Sequence, residues 1–315
     1  MSRLSAISSN PTIREYAQGA AQRATQPVAD FLAPVVPVST SLGKYKIYSE
    51  KNRFRIPDTR RAVGGNASTL SFSASDGTFN CEPHALDYPV DFLEQIEAAD
   101  LENVFQEGAD AVAEVAALAH EKTVIDAALT AAGAGTSKTW NSSADPVADV
   151  DAAILSVLAT AGYGSLLGVG VLFGANAWEI FKNQANVRGR FVVGSGARNS
   201  GGTAFAVPTM GNVGQLFLGN PEVQASYMVY DSAPEGKTAS NAFILTNQVL
   251  VFARSANPTR RDPSFMKTFR LRNRFMVPRT YTSADGRQEV IAYDWSEDVK
   301  VTNSGAVVRY NVATS

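Results

Sequence analysis

The stretch from residue 101 to residue 131 constrains the fold of this chain more than any other. Apolar or small residues recur along it at intervals of three and four, which is the spacing of one face of an α-helix. At 1.5 Å per residue, such a helix is roughly 45 Å long, and few compact domains contain one of that length. The predicted apolar stripe comprises Leu101, Phe105, Gly108, Val112, Val115 and Ala119, and then drifts to Leu118, Ile125 and Leu129.

The opposite face of this predicted helix is acidic. This face carries six carboxylates and only one basic residue, Lys122. An acidic helix face is most often simply solvated. An alternative is that this face receives a basic partner, and the segment that precedes the helix favours this alternative. The acidic residues are Glu102, Glu107, Asp110, Glu114, Glu121 and Asp126.

A basic β-hairpin is predicted within residues 39–88. Apolar and basic residues alternate with a period of two, which is typical of a strand with one charged face, and RRAVGGN forms a glycine-rich tip. An isolated two-stranded hairpin is marginally stable in water, so we expect it to dock on the acidic face of another subunit. Pairing with the helix of the same chain and base stacking by Tyr45, Tyr48 and Phe54 are the alternatives. Residues 44–61 hold two acids and seven bases, a local charge of +5: Lys44, Lys46, Lys51, Arg53, Arg55, Arg60 and Arg61.

Residues 1–38 are predicted to form an extended N-terminal arm. The prolines at positions 27, 34 and 37 exclude a regular helix over QPVADFLAPVVPV. The same stretch is rich in apolar side chains, which favours an arm laid over another surface rather than a free tail. The predicted contact residues of the arm are Phe31, Leu32, Val35 and Val36.

Two further regions follow the long helix. Residues 145–255 are predicted to be a mixed α/β domain with helices at 149–161 and 176–186 and several short strands. The chain then continues into a long arginine-rich strand at 265–277, an Asp-Gly turn at 283–287 and a return strand at 288–293. The other predicted strands are 168–173, 215–218, 227–230, 242–246, 249–253, 299–302 and 307–312.

No part of the sequence predicts a catalytic, cofactor or metal site. The single cysteine, Cys81, excludes a disulfide framework, and CEPH offers too few ligands for a zinc site. The glycine-rich stretch 194–202 matches neither the P-loop nor the dinucleotide fingerprint. A hydrolase that uses Ser195 or His120 is a third hypothesis without a supporting motif. A net charge of −2 and the absence of any long apolar run give no case for a membrane partner.

The order of these segments resembles that of the major capsid proteins of tailed bacteriophages, which have the HK97-type fold. The resemblance covers nearly the whole chain and is carried by residues 51–68, VDFLEQ with the helix after it, LFGANAWEIFKN and FLGNPEVQASYMVYDSAP. It implies an α+β fold that is divided as follows: an arm at 1–38, an extended loop (the E-loop) at 39–88, a peripheral domain at 89–144 with the long spine helix, an axial domain at 145–255, and the second part of the peripheral domain with C-terminal strands at 256–315.

The resemblance also implies a function. Copies of the chain would assemble as pentamers and hexamers into the icosahedral head of a virion, enclose double-stranded DNA through weak nonspecific contacts, and be assembled in the host cytoplasm. Scaffold, portal and decoration proteins would be further partners, and no cofactor or membrane is implied. The alternative of the same fold is an encapsulin-type shell that holds a cargo enzyme. Some family members crosslink a loop lysine to a neighbouring subunit, and Lys44, Lys46 and Lys51 are the candidates here.

Overall fold

The computed structural model describes two compact units, each assembled from several parts of the chain. Unit 1 comprises residues 1–43, 79–127 and 268–300, and unit 2 comprises residues 44–78, 128–267 and 301–315. Within these units, the residues described are 27–48, 59–61, 63–66, 74–93, 101–161, 168–191, 208–234, 236–272 and 277–314.

Unit 1 is a five-stranded sheet covered by the long helix. The strands are β1 (Val35–Val38), β4 (Glu82–Asp91), β11 (Met266–Leu271), β12 (Val277–Thr282) and β13 (Gln288–Val301). They run in the order β1-β11-β13-β12, and β4 pairs antiparallel with β13 along ten residues. The helices are α1 (Pro27–Leu32) and α2 (Leu101–Ala132), and α2 confirms the predicted long helix.

The face that α2 buries agrees with the predicted one only in part. Gly108, Val112 and Ile125 are buried as predicted, whereas Val115 and Ala119 are exposed. Ala109, Ala113 and Ala116 lie outside the predicted stripe and pack with Val112 against apolar residues of β4 and β13. The helix is rich in alanine, so neighbouring stripes of similar hydrophobicity compete, and contact with the sheet decides between them. A Cβ atom on Gly108 would lie 2.7 Å from the ring of Tyr88, so glycine permits this close approach of helix and sheet.

Residues 27–38 of the segment predicted to be an extended arm are built into unit 1, and residues 1–26 lie outside the described residues. Pro27 occupies the first position of α1, where a missing N–H costs little, so a short helix fits before Pro34. Strand β1 then pairs in parallel with β11 at the edge of the sheet, where Pro37 is tolerated. Phe31, Leu32 and Val36 are buried and Val35 is half-buried. Phe31, Leu32 and Val36 therefore belong to the core of unit 1, whereas a subunit contact through Val35 stays a prediction.

Unit 2 contains a second five-stranded sheet, in the order β5-β14-β10-β6-β7. Strand β10 lies at its centre, antiparallel to β14 and β6, and its middle residues are buried on both faces. Helices pack against this sheet through residues such as Ile154, Val157, Trp178 and Phe181. The strands are β5 (Thr136–Thr139), β6 (Gly168–Gly174), β7 (Glu222–Ser226), β10 (Gln248–Arg254) and β14 (Val307–Ala313).

The remaining elements of unit 2 are short helices and ribbons. A ribbon pairs β8 (Val229–Asp231) with β9 (Asn241–Phe243), and 3-10 helices span Gly214–Leu216 and Ser304–Ala306. Another ribbon pairs β2 (Leu42–Tyr48) with β3 (Ala74–Asn80), and both of its strands cross the division between the units. The helices are α3 (Pro146–Ala161), α4 (Ala175–Asn183), α5 (Ala185–Arg190) and α6 (Met210–Val213).

Several predicted strands change in the structure. Where the strand 215–218 was predicted, the chain forms a 3-10 helix that begins at Gly214. A Cβ atom at Gly214 would lie 2.5 Å from the carbonyl oxygen of Pro221, so glycine permits this close approach. The predicted strand 265–277 is replaced by β11 and the start of β12, and residues 273–276 lie outside the described part. The return strand extends to Val301 and absorbs the predicted strand at 299–302.

The division of the chain also differs from the predicted one. Most of β4 lies in the predicted E-loop range, 39–88, but pairs with β13 in the sheet of unit 1. Pro83 and Pro89 obscure its alternating pattern in the sequence. The C-terminal strand β14, grouped with the second peripheral segment, pairs with β10 and β5 in unit 2.

Candidate assembly surfaces

The described part of the basic hairpin presents charge at its root and at its tip. Lys44 and Lys46 lie on β2, and their Nζ atoms are 3.6 and 2.5 Å from the two carboxylate oxygens of Asp76 on β3. The hydrogen bond from Lys46 is the main reason that the pKa of Asp76 falls below its usual value. Two of the seven predicted basic contacts are thus paired with an acid on the return strand, which the sequence analysis did not include.

The tip of the hairpin is exposed. Arg60, Arg61, Val63 and Gly64 all lie on the surface, and Arg61 Nη1 donates a hydrogen bond to the Gly65 carbonyl at 3.2 Å. This bond spans four residues and holds the tip in a turn, while most of the guanidinium N–H groups of Arg61 remain able to bind elsewhere. The other predicted basic residues of the hairpin, Lys51, Arg53 and Arg55, lie outside the described residues.

The predicted acidic face of α2 is only partly exposed. Glu107 and Glu114 are exposed and Asp110 is half-buried, whereas nothing is described for the side chain of Glu102. Glu121, which the periodicity placed on the same face, is fully buried. The helix therefore offers two exposed carboxylates in its first half, Glu107 and Glu114, as candidates for a basic partner.

A buried charge cluster joins β11, β13 and α2 in unit 1, and the sequence analysis missed it. Arg270 donates from Nε and Nη2 to Glu297 Oε2 at 3.0 and 2.8 Å. Trp295 Nε1 donates to Glu297 Oε1 at 3.3 Å, and His120 Nδ1 lies 2.9 Å from the same oxygen. Arg270 of the predicted arginine-rich strand therefore pairs with an acid of its own sheet.

The local sequence explains the position of Glu297. Side chains two residues apart share one face of a strand, so Ile291, Tyr293, Trp295 and Glu297 all face α2. The first three pack in the core, and the carboxylate ends the row next to His120. The signal in the sequence is an acidic residue at the alternate strand position that follows three apolar residues on the same face. This pattern could have identified Glu297.

The pKa values of two carboxyl groups at the cluster depart from their usual values in opposite directions. Burial alone would raise the pKa of Glu297, but His120 and Arg270 outweigh it and lower that pKa to about 2. The pKa of Asp30 on α1 is raised by burial despite attraction from Arg270 and His120. Glu297 is therefore the stable anion of the cluster.

A narrow cleft opens beside this cluster between α2 and strands β4 and β13. Its volume is about 210 Å³, and its wall includes Glu82, His84, His120, Trp295 and Asp298. The rings of His84 and Trp295 stack with their centroids 5.4 Å apart and their planes at 15°. The cleft thus combines carboxylates with a flat aromatic surface.

The described residues contain no group of three or more His, Cys, Asp or Glu side chains arranged to hold a metal ion. None of the helices in the described part of the chain has the length and apolar character needed to span a lipid bilayer.

Solved structures with the same arrangement of elements include shell-forming proteins. A phage-related protein from Bordetella bronchiseptica is 17% identical over 96% of each chain, with a TM-score of 0.67. A putative prophage capsid protein from Escherichia coli is 10% identical over 95% of this chain and 99% of the other, with a TM-score of 0.55. An encapsulin from Synechococcus elongatus is 11% identical over 93% and 90% of the two chains, with a TM-score of 0.57.

No protein-family model and no curated protein sequence matches the chain. The structural matches extend over nearly its full length, which confirms the predicted α+β, HK97-type fold. This is a fold of capsid and encapsulin shells.

Proposed function

We propose that this chain is the major capsid protein of a tailed bacteriophage with a double-stranded DNA genome. The observation that carries the proposal is the HK97-type fold over almost the whole chain, together with the capsid proteins among the structures that have it. In this proposal, copies of the chain form pentamers and hexamers that close into an icosahedral head. The protein is then part of the virion, assembled in the host cytoplasm, and acts through contacts rather than catalysis.

The two units correspond to two domains in this proposal. Unit 1, with the spine helix α2 and the sheet of β13, takes the place of the peripheral domain. The five-stranded sheet and helices of unit 2 take the place of the axial domain, whose loops surround the symmetry axes. The β2–β3 ribbon begins the E-loop that reaches an adjacent copy.

The charge distribution supports contacts between different patches of neighbouring copies. One partner in the proposed contact is basic and comprises the exposed arginines at the hairpin tip and the bases at 44–55. The other partner is acidic and comprises the exposed Glu107 and Glu114, together with Glu102 and Asp110. Ring-forming contacts of this head-to-tail kind join unlike surfaces of identical subunits. Each exposed ion pair contributes only about 0–1 kcal/mol, so a stable shell depends on their repetition.

The packaged DNA is expected to contact the shell weakly. The chain has a net charge of −2, and nonspecific affinity for DNA derives from the release of counterions by clustered lysine and arginine. Scaffold, portal and decoration proteins are further proposed partners, and an assay with the purified chain alone would not include them.

An encapsulin-type shell is the second candidate function. The match to the Synechococcus elongatus encapsulin supports it, because that protein shares the fold over nine-tenths of both chains. Such a shell encloses a protein cargo, so the contents of the particle distinguish the two functions.

Electron microscopy of the protein tests the proposal. We expect the chain, produced in bacteria with its neighbouring genes, to form closed shells of uniform diameter with pentamers and hexamers. Nuclease-protected double-stranded DNA inside the particles would support the capsid, and a single enriched enzyme would support the encapsulin. A protein that stays monomeric at all concentrations, with and without those neighbouring gene products, would contradict both.

A further inference from the structure

The cleft beside the charge cluster has the composition of a site for an organic cation. Three carboxylates line it, those of Glu82, Glu297 and Asp298, and the described residues of its wall include no lysine or arginine. No set of three ligands suits a metal ion within the described part of the chain. A planar guanidinium, which donates five N–H groups and stacks on aromatic rings, fits these features better than a metal.

The three carboxylates differ in their availability. Arg270 already binds Glu297. Asp298 accepts the backbone N–H of Asn80 at 2.7 Å and lies 3.3 Å from Lys300 Nζ. Glu82 is exposed and takes part in no ion pair with a described residue. It is therefore the carboxylate at the mouth of the cleft that can accept a new cation.

The rest of the wall is also ready for a ligand. The His120 side chain is 10% exposed, and its Nε2 atom has no hydrogen-bond partner among the described residues. A buried polar atom of the cleft wall therefore remains to be satisfied. The stacked rings of His84 and Trp295 add a surface on which a guanidinium can lie.

We propose that the Arg61 guanidinium of one copy binds in this cleft of a second copy. Arg61 lies at the exposed hairpin tip next to Arg60, on a segment with a local charge of +5. This inference rests on the proposed shell function, and it places Arg61 alone at the second half of α2, while the other bases of the hairpin keep the acidic partners proposed above. The cleft volume of about 210 Å³ admits a single side chain and not a whole loop.

Disulfide trapping between copies tests the contact. All variants carry Cys81→Ser, which removes the single native thiol. Thr123 lines the cleft and is exposed, so a mixture of R61C and T123C chains should form crosslinked dimers in assembled particles under oxidising conditions. V115C is the matched control, because Val115 is exposed on the same helix but does not line the cleft.

The outcomes separate this contact from the shell function. Dimers from R61C with T123C, and few from R61C with V115C, support the proposal. Intact particles in which T123C crosslinks no better than V115C overturn the contact but leave the shell. Crosslinking only inside one chain, seen in the R61C/T123C double variant as a faster monomer without dimers, also overturns it. A failure of the Cys81→Ser parent and of the wild type to form any particle overturns the shell function itself.

Charge reversal gives a second test that needs no thiol. R61E and E82R should each raise the concentration needed for assembly by about tenfold or more, because like charges then meet at every contact. The R61E/E82R double variant should recover most of this loss. E179R serves as the control, because Glu179 is exposed on helix α4, does not line the cleft and is no part of the proposed contacts. A double variant that assembles no better than either single variant contradicts a direct pairing.

Discussion

Two of the sets of ion pairs that join strands, one in each unit, differ sharply in burial. In unit 1, Glu297 is 8% exposed and binds Arg270 beside His120 and Trp295. In unit 2, Asp76 is 34% exposed and is shared by Lys44 and Lys46 at the root of the hairpin. The residue types are similar, but water reaches one set and hardly reaches the other.

This difference in burial changes what each set does. A buried ion that loses its partner is left without either water or a counter-charge, so the chain is committed to one arrangement of β11, β13 and α2. An exposed pair exchanges with water at little cost. The hairpin lysines can therefore leave Asp76 for a partner on another copy, whereas Arg270 cannot leave Glu297.

The largest expected effect is that of Glu297→Gln. It removes the anion while keeping the shape, and so breaks the buried charge pair with Arg270. We expect the free energy of unfolding to fall by about 3–5 kcal/mol, measured by urea denaturation of unassembled subunits followed by circular dichroism. The control is Glu107→Gln on the exposed face of α2, with a change within about 0.5 kcal/mol. Equal effects of the two substitutions would mean that the cluster does not differ from a surface acid.

Acid should remove the same contribution from the wild type. The pKa of Glu297 falls from 4.5 to about 2 on folding. A lowered pKa stabilises the fold above the unfolded value, so the contribution is complete above about pH 5 and is lost as the pH falls towards 2. At 1.36 kcal/mol per unit, it is at most about 3 kcal/mol. Urea titrations at several pH values should show the curves of wild type and Glu297→Gln converging near pH 2, and a constant separation would contradict this assignment.

The smallest expected effect is that of Asp76→Asn. Because Asp76 is exposed, we expect no measurable change in the urea midpoint. Hydrogen exchange of the β2 and β3 amides should become faster at low salt, since the cross-strand attraction is lost. This difference should vanish near 1 M salt, where the screening length is about 3 Å. A large shift in the midpoint, or one that is independent of salt, would place Asp76 in the same class as Glu297.

The sequence predicted the elements whose signals are local. The end of helix α2 was predicted correctly to one residue. The helical spacing of apolar residues continues over its whole length, and Gly133, with a φ of 67°, follows its last residue. Helix α3 and strands β6 and β10 follow from the same kind of pattern. Strand β7 and the true extent of β4 were missed, since short or proline-containing runs are ambiguous until a partner strand is present.

The candidate surfaces show the same limit. Lys44 and Lys46 were predicted from the clustering of basic residues, but Asp76 lies 30 residues beyond Lys46 and meets them only through strand pairing. The cleft draws its residues from α2, β4 and β13. No spacing along the chain relates Glu82 to His120 or Trp295.

By itself, the sequence determined the periodic elements, the basic and acidic segments and their order, because these depend on neighbours a few residues apart. Only the tertiary structure decided which face of α2 is buried, that residues 27–38 belong to the core of unit 1, and that Arg270 meets Glu297. The physical reason is that burial and ion pairing act between side chains distant in the chain, so their partners exist only once the sheets have formed.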